Sequence, residues 1–207
     1  MPFNKHTAHP WHGINAGSNA PFIIQAFIEI VPSDTIKYEV DKASGWLKVD
    51  RQQRFSNVAP SLYGFIPQTY CKENIKNLAL KNGHHSVIDG DKDPLDICVL
   101  SSTEISSGAI LLEAIPIGGF KMIDKNEADD KIIAVLKNDE IYSSWNDIED
   151  VPAAIINKLK HYFLTYKNLP YETPIVTIDA VYNKAEAHQV IIAAMQDYAI
   201  LNSTIES

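Results

Sequence analysis

Four aspartates fall within the eight residues Asp89-Gly90-Asp91-Lys92-Asp93-Pro94-Leu95-Asp96, and an apolar run, Ile97-Cys98-Val99-Leu100, begins where they end. Carboxylates this dense repel one another, and each resists ionising unless a cation neutralises it. Oxygen ligands suit hard divalent ions such as Mg²⁺, Mn²⁺ or Ca²⁺. The octet therefore points to a Mg²⁺-type site at the mouth of a β-strand. Two rival readings fit parts of it. Asp, Gly and Pro are turn formers, so an acidic loop between strands is often only solvated. Asp89, Asp91 and Asp93 also match the first three ligands of an EF-hand loop. That reading fails, because Pro94 stands where the loop requires Gly and Leu100 where it requires a bidentate Glu.

A second acidic loop, Asp124-Lys125-Asn126-Glu127-Ala128-Asp129-Asp130, precedes a strand over residues 131–136. Alone it would read as a solvated hairpin tip. Residues 36–40 alternate with period two, which puts Lys37 and Glu39 on one face of a strand. Alone that face would be an ordinary solvent face.

These residues must be positioned by the elements around them. Residues 22–30 are apolar and β-rich, a strand carrying one charge, Glu29. Residues 41–45 form a turn and 46–51 return as the second arm of a hairpin. Residues 52–70, with Pro60, Tyr63, Gly64, Phe65 and Pro67, read as extended, turn-rich chain. Residues 72–90 read as an excursion with one or two helical turns over 75–80 and a loop tip at Gly83-His84-His85. Further strands are expected at 97–100 and 110–117, then at 120–123 after a break at Gly118-Gly119. Pro152 fits the first position of a helix. On its face lie Ile155, Ile156, Leu159, Tyr162, Phe163 and Tyr166. Lys167 sits near its C-terminus, where a cation is favoured. Asn183 with Glu186 reads as an N-cap pair. It opens a second amphipathic helix carrying Ala187, Val190, Ile191, Ala194 and Tyr198. Residues 1–20 read as an irregular arm, docked or frayed. Its His6, His9 and His12 do not have the spacing of a helical metal pair.

Neither a repeat nor a linker interrupts the 207 residues, so the expectation is one domain over 1–207. Its class is α+β, mainly β, a barrel or strongly curved sheet with two helices. Hydrophobic residues at 45% and charged residues at 21% are an ordinary globular balance. A net charge of −8 argues against a nucleic-acid groove or an anionic membrane surface as the main partner. It leaves room for a phosphate substrate that arrives with metal ions. No run approaches membrane-spanning length. Two cysteines, Cys71 and Cys98, are too few for a disulfide scaffold and suggest a reducing, cytoplasmic setting.

Taken together, separated groups resemble the family I soluble inorganic pyrophosphatases. They are Glu29, then Ile36-Lys37-Tyr38-Glu39, Val49-Asp50-Arg51, Tyr63-Gly64 and Asp91-x-Asp93-Pro94-Leu95-Asp96. Lys121-Met122-Ile123-Asp124, Asp129-Asp130-Lys131 and Phe163-x-x-Tyr166-Lys167 complete the order. His9-Pro10-Trp11-His12 is similar to the arm of plant and some bacterial members, and the likeness runs from about residue 9 to about 200. The resemblance implies a five-stranded OB-like β-barrel with two packed helices that hydrolyses pyrophosphate with several Mg²⁺ per site, Mn²⁺ being an alternative. It implies that Asp91, Asp96 and Asp129 hold a first metal and that Asp96 bridges to a second. Asp124 and Asp129 would hold a metal arriving with substrate, and Glu39 a further one. Asp93 would be the general base. Lys37, Arg51, Tyr63, Lys131, Tyr166 and Lys167 would contact phosphate, and Glu29 would support the ligands from behind. A homohexamer is the implied assembly. Ala59 and Leu62 depart from residues common in the family, Tyr and Asn, and residues 72–90 have no counterpart in its shorter members.

Overall fold

The computed structural model describes residues 8–54, 56–83, 87–167, 172 and 175–205. In chain order the strands are β1 (Ile24–Ile30), β2 (Ile36–Val40), β3 (Leu47–Gln52), β4 (Leu62–Phe65), β5 (Asp89–Gly90), β6 (Asp96–Leu100), β7 (Ile110–Asp124), β8 (Glu127–Ala128), β9 (Lys131–Leu136) and β10 (Val176–Asn183). The helices are α1 (Glu73–Lys81), α2 (Ala153–Thr165) and α3 (Lys184–Ile205).

Five strands close a ring in the order β1, β4, β6, β9, β7, with β7 returning to pair with β1. This is the expected OB-like barrel. Every pairing in the ring is antiparallel except β6 with β9, which run parallel and set Asp96 opposite Lys131. The apolar runs of β6 and β9 are continuous because both faces are buried. Ile97, Val99, Ile132 and Ala134 pack with Ala187, Val190, Ile191 and Ala194 of α3. Cys98, Leu100, Ile133 and Val135 pack with Ile156, Leu159, Tyr162 and Phe163 of α2. Each fully buried Ile or Leu contributes roughly 1.5–3 kcal/mol, so the helices are fastened by these faces.

The sequence expectations need four corrections. Residues 110–124 are one fifteen-residue strand, not two separated by a glycine break. Gly118 and Gly119 instead make room for β10: the Tyr182 carbonyl lies against one and the Tyr182 ring against the other. The nominally turn-rich stretch 52–70 contains β4, which lies inside the ring. Between the two expected helices lies β10, paired with the distal half of β7. The excursion carries α1, nine residues long, so three helices pack on the barrel. The first backbone donors of α1 are not capped locally. Asp197 of α3 accepts from the N–H groups of Lys72 (2.9 Å), Asn74 (3.0 Å) and Ile75 (3.2 Å). His6, His84 and His85 lie outside the described residues.

The remaining helix signals hold with small shifts. Pro152 stands just before α2. Asn183 Oδ1 accepts from the Glu186 N–H at 3.1 Å, as an N-cap should. The Glu186 carboxylate does not reach back to the cap; it accepts from Lys121 Nζ at 2.5 Å and Asn82 Nδ2 at 2.8 Å.

At Gly64 the backbones of β1 and β4 approach closely. It pairs with Ile28, and a Cβ there would overlap the Phe27 carbonyl. Gly64→Ala should therefore lower stability by about 2–3 kcal/mol, since backbone on both sides must move. Urea unfolding checks this, and a loss below ~0.5 kcal/mol would show that the ring yields more easily than its packing suggests.

Candidate active site

The parallel pair β6–β9 places the first residues of both strands side by side at one pole of the barrel. Lys131 is 2% exposed there, and its ammonium donates to Asp96 Oδ2 at 2.5 Å and also to Asp129. Burial opposes the charge on Lys131, but Asp129 and Asp96 outweigh it and hold the ammonium well above its usual range. Tyr63 reaches the same carboxylate from β4, donating to Asp96 Oδ2 at 2.6 Å. Burial and then Asp96 push the Tyr63 phenol well up, so it acts as a donor.

Two short strands zip the acidic loops together. Asp89 pairs with Glu127 and Gly90 with Ala128, just ahead of Asp91 and Asp129. Asp91 and Asp129 consequently share a hydrogen bond. Burial raises both carboxyls, the Asp129 charge raises Asp91 further, and the Lys131 ammonium opposes the rise at both.

The β2–β3 hairpin brings the cations. Lys37 Nζ donates to Glu39 at 3.1 Å and to Asp50 at 2.7 Å, which confirms that Lys37 and Glu39 share a face. Arg51 donates to the same Asp50 oxygen at 2.7 Å and lies 5.8 Å over the Tyr166 ring. Lys167, 5.2 Å from that ring, pairs with Asp124 at the end of β7. The other Asp124 oxygen, Oδ1, is buried and has no hydrogen-bond partner among the described residues.

Glu29 ties the hairpin to the barrel. Its Oε1 accepts from the Val40 N–H at 2.6 Å. Burial pushes its carboxyl up to about 8, with Asp96 adding to the rise and the Val40 bond opposing it. One cleft collects Glu29, Lys37, Glu39, Tyr63, Asp93 and Asp96, walled by Trp11 of the docked arm. Of the thirteen residues singled out from the sequence, these six line the cleft, Lys131 and Asp91 touch them, and Asp129, Arg51, Tyr166, Lys167 and Asp124 follow through a chain of contacts.

Sequence reasoning gave no role to two members. Asp50 holds Lys37 and Arg51 together, and Lys42 pairs with Asp93. Opposite charges on facing hairpin arms could have indicated Asp50; nothing local marks Lys42. Ala59 and Leu62 are buried, at 2% and 3% exposure, so neither side chain is presented at the surface of the cleft.

Residues 26–199 match the family model for inorganic pyrophosphatase. The chain belongs to the inorganic pyrophosphatase family. It is therefore placed among hydrolases. The inorganic pyrophosphatase of Chlamydia caviae is 48% identical over 195 residues, covering 92% of this chain and 90% of that protein. The soluble inorganic pyrophosphatase of Zea mays is 36% identical, over 93% of this chain and 80% of its own. The crystal structure of inorganic pyrophosphatase from Thermus thermophilus superposes with a TM-score of 0.77 at 27% identity, covering 93% of this chain and 99% of that one.

The Glu29 carboxyl sets a pH dependence in the metal-free protein. Its folded pKa lies above its unfolded value, so the unfolded chain releases the proton first and stability falls between about pH 4.5 and pH 8. In EDTA, Glu29→Gln should be close to wild type at pH 5. At pH 9 it should be more stable than wild type, by on the order of a few kcal/mol. Equal denaturant midpoints at pH 9 would show that Glu29 is not held neutral by burial.

Proposed function

We propose that this chain hydrolyses inorganic pyrophosphate to two orthophosphates with Mg²⁺, Mn²⁺ being able to replace it. The observation that carries the reading is the cleft itself: Asp93 and Asp96 face Lys37, Glu39 and Tyr63, and lysines are interleaved with carboxylates throughout.

The residues fit the metals that the family requires. Among the described residues no three acidic, His or Cys side chains are already gathered as a metal site. What stands in its place is compensation by lysines: Lys131 between Asp129 and Asp96, and Lys167 on Asp124. The unpartnered buried Oδ1 of Asp124 is a free oxygen donor of the kind a hard cation takes. We assign Asp91, Asp96 and Asp129 to one metal, with Asp96 shared with a second. Asp124 and Asp129 would hold a third and Glu39 a fourth. Bound Mg²⁺ supplies a lowered water pKa and neutralises charge on the substrate oxygens.

The side chains then divide the work. Asp93 accepts a proton from the attacking water as the new P–O bond forms. The bridging P–O bond breaks, and its electron pair leaves with the departing phosphate. Lys37, Arg51, Lys131 and Lys167 hold the phosphate oxygens in line, and the hydroxyls of Tyr63 and Tyr166 donate to them. Glu29 supports the β2–β3 hairpin from behind through Val40. Asp93 is half exposed, unlike the buried Asp129, and is accordingly open to solvent water.

The acidic chain and the cleft's carboxylates oppose a nucleic-acid partner, and no described helix is long and apolar enough to cross a membrane. Two buried free thiols, Cys71 and Cys98, suit a cytoplasmic setting. We also propose a homo-oligomer, a hexamer being favoured; a monomeric mass by light scattering would refute it.

Phosphate release from pyrophosphate tests the reading. It should be fast with Mg²⁺ and absent in EDTA. Asp93→Ala and Asp96→Asn should each lose at least about 100-fold in kcat, the scale of a missing acid–base or electrostatic group. Near-normal turnover by either variant would remove that residue from its role.

A further inference from the structure

Behind the acidic loop lies a strap, residues 66–71, and behind the strap lies the N-terminal arm. The strap runs along the loop with a near-complete set of hydrogen bonds. Ile66 N–H donates to the Leu95 carbonyl at 2.9 Å, Cys71 N–H to the Asp93 carbonyl at 2.9 Å, and Lys92 N–H to the Cys71 carbonyl at 3.0 Å. The remaining one is made by a side chain: Leu95 N–H donates to Thr69 Oγ1 at 2.9 Å. That hydroxyl donates in turn to the Ile66 carbonyl at 2.6 Å. Thr69 and Leu95 are fully buried, so water cannot replace either bond.

The arm grips the strap from its outer side. Trp11 Nε1–H donates to the Thr69 carbonyl at 2.8 Å, and Gln68 N–H donates to the Trp11 carbonyl at 2.9 Å. Gln68 Nε2 donates to the His12 carbonyl at 3.0 Å. Gln68 has a φ of +51°, a conformation that a non-glycine residue adopts only when its surroundings impose it. His9 shapes the arm's turn, its Nδ1 accepting from the N–H groups of Trp11 (3.2 Å) and His12 (3.3 Å). His9 Nε2 lies 3.2 Å from the carbonyl of Lys42, whose ammonium pairs with Asp93. Arm residues therefore reach the acidic loop along two routes, through Thr69 to Leu95 and through Lys42 to Asp93.

We propose that arm residues 9–12 form a positioning clamp for Asp93-Pro94-Leu95-Asp96, with Thr69 as the relay. The clamp rests on the reading that Asp93 and Asp96 act in the reaction. Thr69 touches no reacting atom. It fixes the one backbone donor lying between the two carboxylates, and in a site of this kind a displacement of about 1 Å can cost about 100-fold in rate.

The test uses Thr69→Val, Thr69→Ser and Trp11→Phe in the full chain. kcat and KM for Mg²⁺-pyrophosphate, Tm and hydrogen exchange at the Leu95 amide are measured in each. Thr69→Val keeps the shape and loses the hydroxyl. It should lower kcat about tenfold, leave KM within about twofold, and speed exchange at Leu95. Thr69→Ser should restore both kcat and exchange. Trp11→Phe should move both in the direction of Thr69→Val, by less. A lower Tm with kcat per folded molecule unchanged would overturn the clamp, as would a Ser variant no better than Val. If Thr69→Val does not fold, unchanged kcat and Leu95 exchange in Trp11→Phe overturn it instead. Failure of the catalytic reading appears elsewhere, as an active Asp93→Ala, and leaves the Leu95 exchange comparison to stand alone.

Discussion

The structure depends on burying one cation between two carboxylates. Lys131 has almost no contact with solvent, and Asp96 and Asp129 are its counter-charges. Removing such a charge from water costs several kcal/mol, which only close and well-oriented partners offset. The β6–β9 register supplies the first partner by setting Asp96 directly opposite Lys131. The turn before β9 supplies the second. A ring with any other register there would take Asp96 away from Lys131 and leave the buried ammonium with Asp129 alone. The single parallel pairing in the ring is therefore an electrostatic requirement as much as a topological one.

The same requirement explains the interleaving of signs across the pole. Lys37 rests on Glu39 and Asp50, Arg51 on Asp50, Lys42 on Asp93 and Lys167 on Asp124. These pairs are partly exposed, so each contributes little to stability. Their value lies in availability. A polyanion that brings divalent cations can take the lysines while the cations take the carboxylates, and neither set is left uncompensated. On that reading a chain of net charge −8 can hold a phosphate substrate without a broadly basic surface.

Much of this was legible in the residues. The strands at β1, β2, β6 and β9 read directly, because their apolar runs or alternation match two-sided or one-sided burial. The faces of α2 and α3 read by period. The residues named from the motifs are brought to one pole of the barrel. What could not be read was long-range. β4 is four residues long and contains Gly64, so nothing local distinguishes it from a turn; it is a strand because β1 and β6 flank it. Gly118 and Gly119 look like a break and are instead a seat for Tyr182. α1 has no local start signal, since its cap, Asp197, lies more than a hundred residues away in sequence. Lys42 entered the site through a turn whose geometry no local pattern encodes.

These long-range features converge on the far half of α3. Asp197 caps α1, Tyr198 Oη lies 2.8 Å from His12 Nδ1, and the Ala194 carbonyl accepts from Tyr70 N–H at 2.9 Å. One helix thus holds the excursion, the arm and the strap. The excursion ends in β5, which pairs with β8 and delivers Asp91 to Asp129; the strap holds the chain that follows, from Lys92 to Leu95. Residues 72–90 are therefore more than an appendage on a smaller barrel. Without α1 anchored on Asp197, the chain entering Asp91 would lose one of the supports that, with the β5–β8 pairing and Lys131, hold the two acidic loops together against their mutual repulsion. The buried carboxylates can approach one another because helices and strands remote from the cleft leave them no lower-energy way to separate.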